Sequence, residues 1–408
     1  MIPAWANTAI WWSVYPLGAC GAPIWEKDGP GSHHRLNRLE PWLDHLIELG
    51  CNGLALGPIW ASTSHGYDVV DHLKIDPRLG NDSDFDHLVT ACRSRGIHLL
   101  VDGVFNHVSV EHAELRARRS GESSDTDLFL EDSNDPVGLS RFEGHESLVE
   151  LDHSKPAVAQ YVIEVMNHWL DRGADGWRLD AAYRVPPKFW AKVLPQVRSK
   201  HQDVLIVAEV LHGDYAEIAQ LSGFDSITQY ELWKAVWSSL KDANPHELLW
   251  ALQRHDSMTS HLLGWTFVGN HDVTRIATQI GTQPARVATG IIMTLAGMPA
   301  LYYGDELGFT GEKKDDFGGD DAIRQQLGPY PPHVTDPETL RLIQLAIRIR
   351  RLHPWLVKAR TEVTECGQTR IAWRSSDSNQ AWITVELDVG EQQPSLRIYD
   401  TCGELLAL

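Results

Sequence analysis

Arg178 and Asp180 stand two residues apart in the octapeptide GADGWRLD, which runs from Gly173 to Asp180. Gly173 follows a helical pattern that ends near Arg172, and the residues after it have the pattern of a strand. Residues two apart on a strand share a face, so the guanidinium and the carboxylate should lie side by side. Because a nearby cation favours the ionised form of an acid, we expect Asp180 to remain a carboxylate at neutral pH. It is then a candidate nucleophile for sugar chemistry, with a structural ion pair as the alternative.

Glu209 is the candidate for the second carboxylic acid that such chemistry needs. It lies at the end of the apolar run VLIVAEV, residues 204–210. Apolar neighbours favour the neutral, protonated carboxyl that a proton donor requires. A structural carboxylate bonded to the start of a helix is the alternative.

A third carboxylate and two histidines complete the candidate set. Asp272, in the segment GNHD, has no separate chemical step to perform, so we expect it to bind sugar hydroxyls and to stabilise a cationic transition state. His107 and His271 can donate hydrogen bonds to hydroxyls without adding negative charge, although a lone histidine is more often structural. The sequence has no HxxxH spacing, which argues against zinc.

The elements that position these residues alternate between strand and helix. Short apolar runs predict strands, and each is followed by a helical pattern. Eight such units favour a (β/α)8 barrel over a doubly wound sheet, with a helix over residues 337–352 closing it. The predicted strands cover residues 9–15, 53–57, 97–104, 173–180, 204–210, 224–230, 263–269 and 299–303.

Two segments stand apart from this alternation. Residues 108–152 are polar and rich in Gly and Asp, and they are too long for an ordinary connection. They predict a small inserted subdomain or lid, with a flexible solvated loop as the alternative. Residues 353–408 contain short alternating runs that predict a small antiparallel β domain. The barrel would then comprise residues 1–107 and 153–352.

In a barrel of this kind, functional side chains lie just beyond the carboxyl ends of the strands. The candidate residues lie at such positions on five predicted strands. Residues with unrelated structural roles would seldom all be placed in this way. We therefore predict one active site at that end of the barrel. Tyr67 and Asp68 follow the second strand, Asp102 and His107 the third, Arg178 and Asp180 end the fourth, Glu209 ends the fifth, and His271 and Asp272 follow the seventh.

The composition restricts the partners. The chain has 408 residues and a formal charge of -19, which disfavours nucleic acid and anionic membranes but not neutral sugars. Its 16 tryptophans fit either sugar stacking or a large core.

The amino terminus lacks the features of a secretory signal and no apolar run reaches membrane-spanning length, so we predict a cytoplasmic protein. The five cysteines form no CxxC pair, which predicts reduced thiols rather than zinc ligands or disulfides.

Four segments together resemble the signature regions of the alpha-amylase superfamily, glycoside hydrolase family thirteen. They are DGVFNH (residues 102–107), GWRLD (176–180), the Glu of VAEV, and FVGNHD (267–272), and two accessory regions bring the resemblance to roughly residues 10–352. The resemblance implies that Asp180 is the nucleophile, Glu209 the acid/base and Asp272 the transition-state stabiliser. It also implies five residues that hold the sugar: Tyr67, by stacking, with Asp68, His107, Arg178 and His271.

The chain also departs from the family pattern. Many calcium-dependent alpha-amylases have a Lys–His pair shortly after the nucleophile, where this chain has Ala182, Tyr183 and Arg184. Asn106 matches a calcium-ligand position, but partners from a longer insert are not evident. We therefore expect no tightly bound calcium and no other cofactor. With a short insert, the substrate-binding groove would be more open on one side, which suits short or branched α-glucans.

The sequence thus predicts a retaining α-glucoside hydrolase that acts on α-1,4-linked malto-oligosaccharides or related α-glucans by double displacement. Its two reacting carboxyl groups should lie about 5–5.5 Å apart. One alternative is a glucosyl or maltosyl transferase, or a phosphorylase, of the same superfamily. A remote alternative is a non-catalytic amylase-like binding protein; such proteins typically have a membrane helix and broken catalytic positions, and neither is evident here.

Overall fold

The structure, a computed structural model, describes residues 2–25, 33–120, 128–136, 138–329, 331, 336–390 and 393–408. Eight parallel strands in these residues form a closed barrel in which each strand pairs with its sequence neighbours and the eighth pairs with the first. The predicted (β/α)8 barrel is therefore confirmed. In order, the barrel strands are Trp11–Val14, Gly53–Leu56, His98–Gly103, Gly176–Leu179, Leu205–Ala208, Ser226–Thr228, Leu263–Phe267 and Met298–Tyr302.

Two apolar layers stabilise the barrel. One fills its interior, where the rings of Trp11 and Trp265 lie 5.3 Å apart, and the other lies between the strands and the surrounding helices. Gly53 is required beside Trp11, because a Cβ at residue 53 would lie 2.4 Å from the indole ring. Eight of the 16 tryptophans are fully buried, so the high tryptophan content largely reflects the core.

The surrounding helices begin and end close to the predicted residues. Pro156–Arg172 starts with proline in its first turn and ends at Gly173, whose φ of +114° suits a residue without a side chain. A 3-10 turn, Arg35–Leu39, directly precedes the helix Glu40–Leu49. The other main helices are Glu40–Leu49, Asp82–Ser94, Pro187–Lys200, Tyr215–Ser222, Tyr230–Lys241, His246–Thr259, Thr282–Met293 and Pro337–Leu352.

The insert after the third barrel strand contains regular structure in its described residues. The strand His107–Ser109 pairs with Leu148–Glu150 in an antiparallel ladder, and the helix Ala113–Ser120 lies between them along the chain. Buried side chains such as Phe129 anchor the insert to the main core. A flexible solvated loop does not describe this part of the chain; residues 121–127 and 137 of the predicted insert lie outside the described residues.

A five-stranded antiparallel sheet follows the barrel, formed by Arg360–Cys366, Arg370–Ser376, Trp382–Asp388, Ser395–Asp400 and Gly403–Ala407. The sequence indicated only the middle three strands, because both edge strands expose most of their side chains and lack a clear apolar alternation. The sheet packs on the barrel helices, and the Ser375 hydroxyl donates a hydrogen bond to the Thr294 carbonyl. No helix in the described ranges has the length and apolar character needed to cross a membrane.

Candidate active site

Arg178 joins three carboxylates at the carboxyl ends of the third, fourth and fifth barrel strands. Its Nη1 lies 2.6 Å from Asp102 Oδ2 and 3.1 Å from Asp180 Oδ1, and its Nη2 lies 2.7 Å from Glu209 Oε1. Strand register explains this convergence. Asp102 is the partner of Arg178 on the neighbouring third strand, and Glu209 follows Ala208, the partner of Leu179 on the neighbouring fifth strand. The two predicted reacting carboxylates therefore lie in one site.

The turn after Asp180 links the two carboxylates through the backbone. Ala181 has a φ of +44°, a left-handed conformation that is uncommon for a residue with a side chain. In this conformation the Ala181 N–H donates a 2.9 Å hydrogen bond to Glu209 Oε2. Local strain of this kind is typical of functional sites, and here it fixes one oxygen of the candidate acid.

Tyr230 holds the other oxygen of Glu209. Its hydroxyl donates a hydrogen bond to Oε1 over 3.1 Å and accepts one from the Asn270 side chain over 2.9 Å. Burial and the neighbouring Glu209 raise the pKa of Tyr230 well above its ordinary value, so the phenol stays neutral. Neither Tyr230 nor Asn270 was among the predicted site residues. Functional side chains in such a barrel lie just beyond the carboxyl ends of the strands, and this rule could have identified Tyr230, because Tyr230 closely follows the sixth strand.

Asp272 lies on the other side of the site with a different set of partners. Its Oδ2 is 3.0 Å from His271 Nε2 and its Oδ1 is 3.2 Å from Arg324 Nη2. Burial opposes its charge, but His271 and Arg324 hold the pKa of Asp272 below its ordinary value. Arg324 also pairs with Asp320 over 2.8 Å. Sequence reasoning missed Arg324, which lies in a long irregular segment after the eighth strand.

The proton balance differs from the prediction at Asp180. Arg178 contacts Asp180 as expected, but burial and the neighbouring Glu209 raise the pKa of Asp180 well above its ordinary value. Burial also raises the pKa of Asp102 to about 7 against the effect of Arg178. Arg178 therefore does not set the protonation of Asp180 alone, because one guanidinium is shared among three buried carboxyls and burial opposes its effect.

Three predicted sugar-binding side chains line the same site. The Tyr67 hydroxyl donates to Asp102 Oδ2 over 3.2 Å and also contacts His271, whose ring lies parallel to the tyrosine ring at 5.3 Å. The His107 ring stacks on Phe142 at 4.3 Å, and its buried Nε2 has no hydrogen-bond partner among the described residues. Burial lowers the pKa of both His107 and His271 to about 3, so both rings are neutral.

Asp68 has a local role in the structure. Its carboxylate accepts hydrogen bonds from the backbone N–H and the hydroxyl of Ser64, at 3.1 and 2.6 Å. These bonds hold the loop that carries Tyr67. The structure brings Asp68 next to the site, but both of its carboxylate oxygens are engaged within the loop.

The barrel below these groups is nearly filled. A cavity of about 40 Å³ remains among Asp102, Arg178, Tyr230 and Trp265, with further lining from the first, second, seventh and eighth strands. That volume holds a few water molecules at most. A sugar ring must therefore bind above Arg178, among the loops that follow the strands.

Asn106, the residue at the possible calcium-ligand position, directs its side-chain nitrogen to His107 Nδ1 at 3.2 Å. Over the described parts of the chain, no three His, Cys, Asp or Glu side chains are grouped so that they could hold a metal ion. Asn106 thus contacts a histidine nitrogen, whereas Ca²⁺ prefers several oxygen ligands.

A parallel barrel that brings two carboxyl groups together at the carboxyl ends of its strands fits the two-carboxylate chemistry of glycoside hydrolysis. Residues 36–344 match the family model described as alpha amylase, catalytic domain, so the chain belongs to the alpha-amylase family. It is 31% identical to neopullulanase 2 of Thermoactinomyces vulgaris over 347 residues, which is 77% of this chain and 59% of that protein. The chain spans about three fifths of the length of the first curated relatives it matches.

Solved structures show the same architecture. A cyclomaltodextrinase aligns with a TM-score of 0.82 and 26% identity, covering 95% of this chain and 70% of that chain. The cyclic alpha-maltosyl-(1→6)-maltose hydrolase from Arthrobacter globiformis aligns with a TM-score of 0.83, covering 100% of this chain and 99% of that one. At 24% identity, the second likeness shows the fold alone.

Proposed function

We propose that this protein is a retaining α-glucoside hydrolase that acts on α-1,4-linked malto-oligosaccharides or related α-glucans. One observation carries the proposal: Asp180 and Glu209 contact different nitrogens of the same guanidinium, within a few ångströms of Arg178. Two carboxyl groups in one site are what double displacement at an anomeric carbon requires. The names of the relatives, a neopullulanase and a cyclomaltodextrinase, support α-glucans as the substrate class.

In the first step, a carboxylate oxygen of Asp180 attacks the anomeric carbon while Glu209 protonates the glycosidic oxygen. The bond between the anomeric carbon and that oxygen breaks, the leaving sugar departs and a glycosyl ester forms on Asp180. In the second step, Glu209 removes a proton from water, and the resulting hydroxide displaces Asp180. Two inversions give net retention. Asp180 reacts as the carboxylate.

The remaining groups bind and stabilise the reacting sugar. The ring of Tyr67 offers a flat apolar surface to the sugar. Asp272, held ionised by Arg324, supplies negative charge to an oxocarbenium-like transition state. Arg178 orients the two reacting carboxylates.

Product anomers followed by proton NMR test the mechanism directly. We expect the α-anomer first from a malto-oligosaccharide, and no turnover by the Asp180→Asn variant. Initial release of the β-anomer, or activity retained by the variant, would contradict the proposal. The same assay at high maltose concentration separates hydrolysis from glycosyl transfer, since transfer gives longer products.

A substrate panel tests the preference for short or branched α-glucans. Maltose, trehalose, sucrose, isomaltose, cyclodextrin, pullulan and starch differ in linkage and length, so their products identify both. We expect malto-oligosaccharides or cyclodextrin to be cleaved with a higher kcat/KM than starch. A clear preference for long starch over maltotriose would count against this part of the proposal.

We also propose a cytoplasmic location. The cysteines support it, because all five are free thiols, and free thiols persist in reducing compartments. Three of them, Cys20, Cys51 and Cys92, are buried in the core. Cell fractionation checks the proposal, and recovery of the protein outside the cytoplasmic fraction would contradict it.

A further inference from the structure

Two exposed aromatic rings lie side by side at the carboxyl-terminal end of the barrel. Among the described residues, the exposed Trp and Phe side chains are Trp25, Trp250 and Phe317, with 40%, 68% and 82% of their surfaces in solvent. Trp25 follows the first barrel strand and Phe317 follows the eighth, yet their ring centroids are 4.3 Å apart. We call these two rings the aromatic platform.

The platform is a built feature rather than a chance contact. The Trp25 Nε1–H donates to the Asp321 carboxylate, with distances of 3.0 and 3.2 Å to its two oxygens. Gly318 turns the loop tightly at a φ of +72°, and a Cβ there would lie 3.3 Å from Trp25 Nε1. The loop after the eighth strand is thus folded against the indole, which fixes the orientation of the ring although it is partly exposed.

A series of aromatic contacts connects the platform with the active site. The Trp25 ring meets the edge of the His65 ring at 6.2 Å, and His65 lies 6.2 Å from Tyr67. Tyr67 in turn stacks on His271, the neighbour of Asp272. The platform is therefore continuous with the surface that we propose for the reacting sugar.

Ion pairs place the platform on the Asp272 side of that sugar. Asp320, next to the Trp25 partner Asp321, pairs with Arg324 at 2.8 Å, and Arg324 pairs with Asp272 at 3.2 Å. The carboxylate of Glu209 contacts the Ala181 N–H, the Tyr230 hydroxyl and Arg178 instead of Asp320 or Arg324. Since Glu209 protonates the departing oxygen, sugar units on the Asp272 side are those that stay with the enzyme in the glycosyl ester.

We propose that the aromatic platform binds glucosyl units of the substrate on the non-reducing side of the cleaved bond, beyond the reacting unit. This rests on the function proposed above and specifies which part of the substrate adds affinity. The ligand is a neutral glucan chain: its C–H faces stack on the two rings, and its hydroxyls reach the carboxylates of Asp320 and Asp321. The preference of the enzyme for substrates with more glucose units on the non-reducing side of the cleaved bond then depends on residues 25 and 317.

Nitrophenyl glycosides of increasing length test the platform. In these substrates nitrophenol is the leaving group, so additional glucose units extend on the non-reducing side. For Trp25→Ala and Phe317→Ala we expect kcat/KM on 4-nitrophenyl α-maltotrioside to fall about tenfold, the loss of one stacking contact. The value on the shortest member that the wild type cleaves should change less than about twofold.

Trp250→Ala is the matched control. Trp250 is more exposed than Trp25 and lies on the helix His246–Thr259, apart from the platform. This variant should leave kcat/KM unchanged on every member of the series. Equal losses on short and long substrates in the platform variants, or no loss on either, would overturn the proposal.

A binding measurement separates failure of the platform from failure of the proposed function. Isothermal titration of maltotriose into Asp180→Asn protein requires no turnover, and adding Phe317→Ala should weaken binding about tenfold, whereas adding Trp250→Ala should not. If the wild type does not hydrolyse glucans but the binding pattern is as expected, the proposed hydrolase function is wrong and the proposed role of the aromatic platform still holds. Hydrolysis by the wild type with unchanged maltotriose binding in the Phe317→Ala background would refute the platform alone.

Discussion

At Asp180, burial and charge act in opposite directions. Arg178 favours the carboxylate, but desolvation and the nearby Glu209 favour the protonated acid and raise its pKa. The sequence showed the arginine two residues away, so the attractive contact was predictable. The depth of burial and the approach of two further carboxyls depend on the closed barrel, which brings Asp102 and Glu209 to the same guanidinium. Neither is visible in the octapeptide alone.

The raised pKa of Asp180 has a consequence for stability. A carboxyl whose pKa is higher in the folded chain binds more protons there than in the unfolded chain, so the free energy of unfolding falls as pH rises above about 4. Asp180→Asn removes this group, so the variant should gain thermal stability relative to the wild type as pH increases from 4.5 to 7.5. Its turnover should fall by about 10⁴-fold or more.

Thermal unfolding of both proteins at several pH values provides the measurement. Asn keeps the volume of Asp, so packing is matched between the two proteins. A difference in Tm that stays constant across this range would contradict the direction of the pKa shift at Asp180.

Tyr230 provides a second prediction, at the acid/base. Tyr230→Phe removes the hydroxyl that donates to Glu209 and keeps the ring. One hydrogen bond contributes about 1 kcal/mol, so we expect kcat to fall about five- to tenfold with little change in KM. Steady-state kinetics on a malto-oligosaccharide checks this. Tyr399→Phe, in the carboxyl-terminal sheet, is the matched control, and equal effects from both variants would show that Tyr230 does not orient Glu209.

Strands and helices were the elements that the sequence predicted best. Strands buried on both faces, such as Leu205–Ala208, are continuous apolar runs, and helices such as Pro156–Arg172 carry proline and glycine at their ends. The hairpin formed by Trp60–Ser62 and Val69–Ile75 was not predicted, because its register is irregular and half of its residues are not fully buried. Arg324 was missed for a related reason: only tertiary contacts bring an irregular loop to Asp272.

A buried ion pair joins the loops that follow the seventh and eighth strands. Arg275 Nη1 lies 3.0 Å from Asp305 Oδ1 and donates to the Tyr303 carbonyl, and the guanidinium lies 4.1 Å from the centre of the Tyr302 ring. Both charged side chains are almost fully buried. These contacts hold the two loops that carry Asp272 and Arg324.

Arg275→Met should destabilise the fold by about 3–5 kcal/mol, because it leaves Asp305 buried without its cation. Denaturant unfolding provides the measurement. Adding Asp305→Asn to Arg275→Met should recover much of the loss, since the remaining group is then uncharged. A double variant no more stable than the single one would show that the ion pair is not the source of the effect.

At the scale of the whole molecule, the chain combines a filled barrel, a short insert and a terminal sheet without a metal-binding cluster among its described residues. The interior is packed with side chains such as Trp11 and Trp265, and ion pairs such as Arg324–Asp272 tie the active-site loops together. We therefore propose that both stability and activity are independent of calcium.

Removal of divalent cations tests this. We expect dialysis against EDTA to leave kcat/KM and Tm within experimental error, because a protein that binds no ion loses no stability when ions are removed. Readdition of Ca²⁺ should have no effect, and Mg²⁺ serves as the control cation. A loss of activity that Ca²⁺ alone restores would show that a calcium site exists and that the prediction is wrong.

The left-handed turn at Ala181 also bears on how this scaffold can be redesigned. A β-branched residue would disfavour that turn and so displace the amide that fixes Glu209. Mutant libraries that aim at new glycan preferences should therefore keep alanine or glycine at this position. They can place their diversity at residues 25 and 317, which we propose contact the substrate beyond the reacting unit.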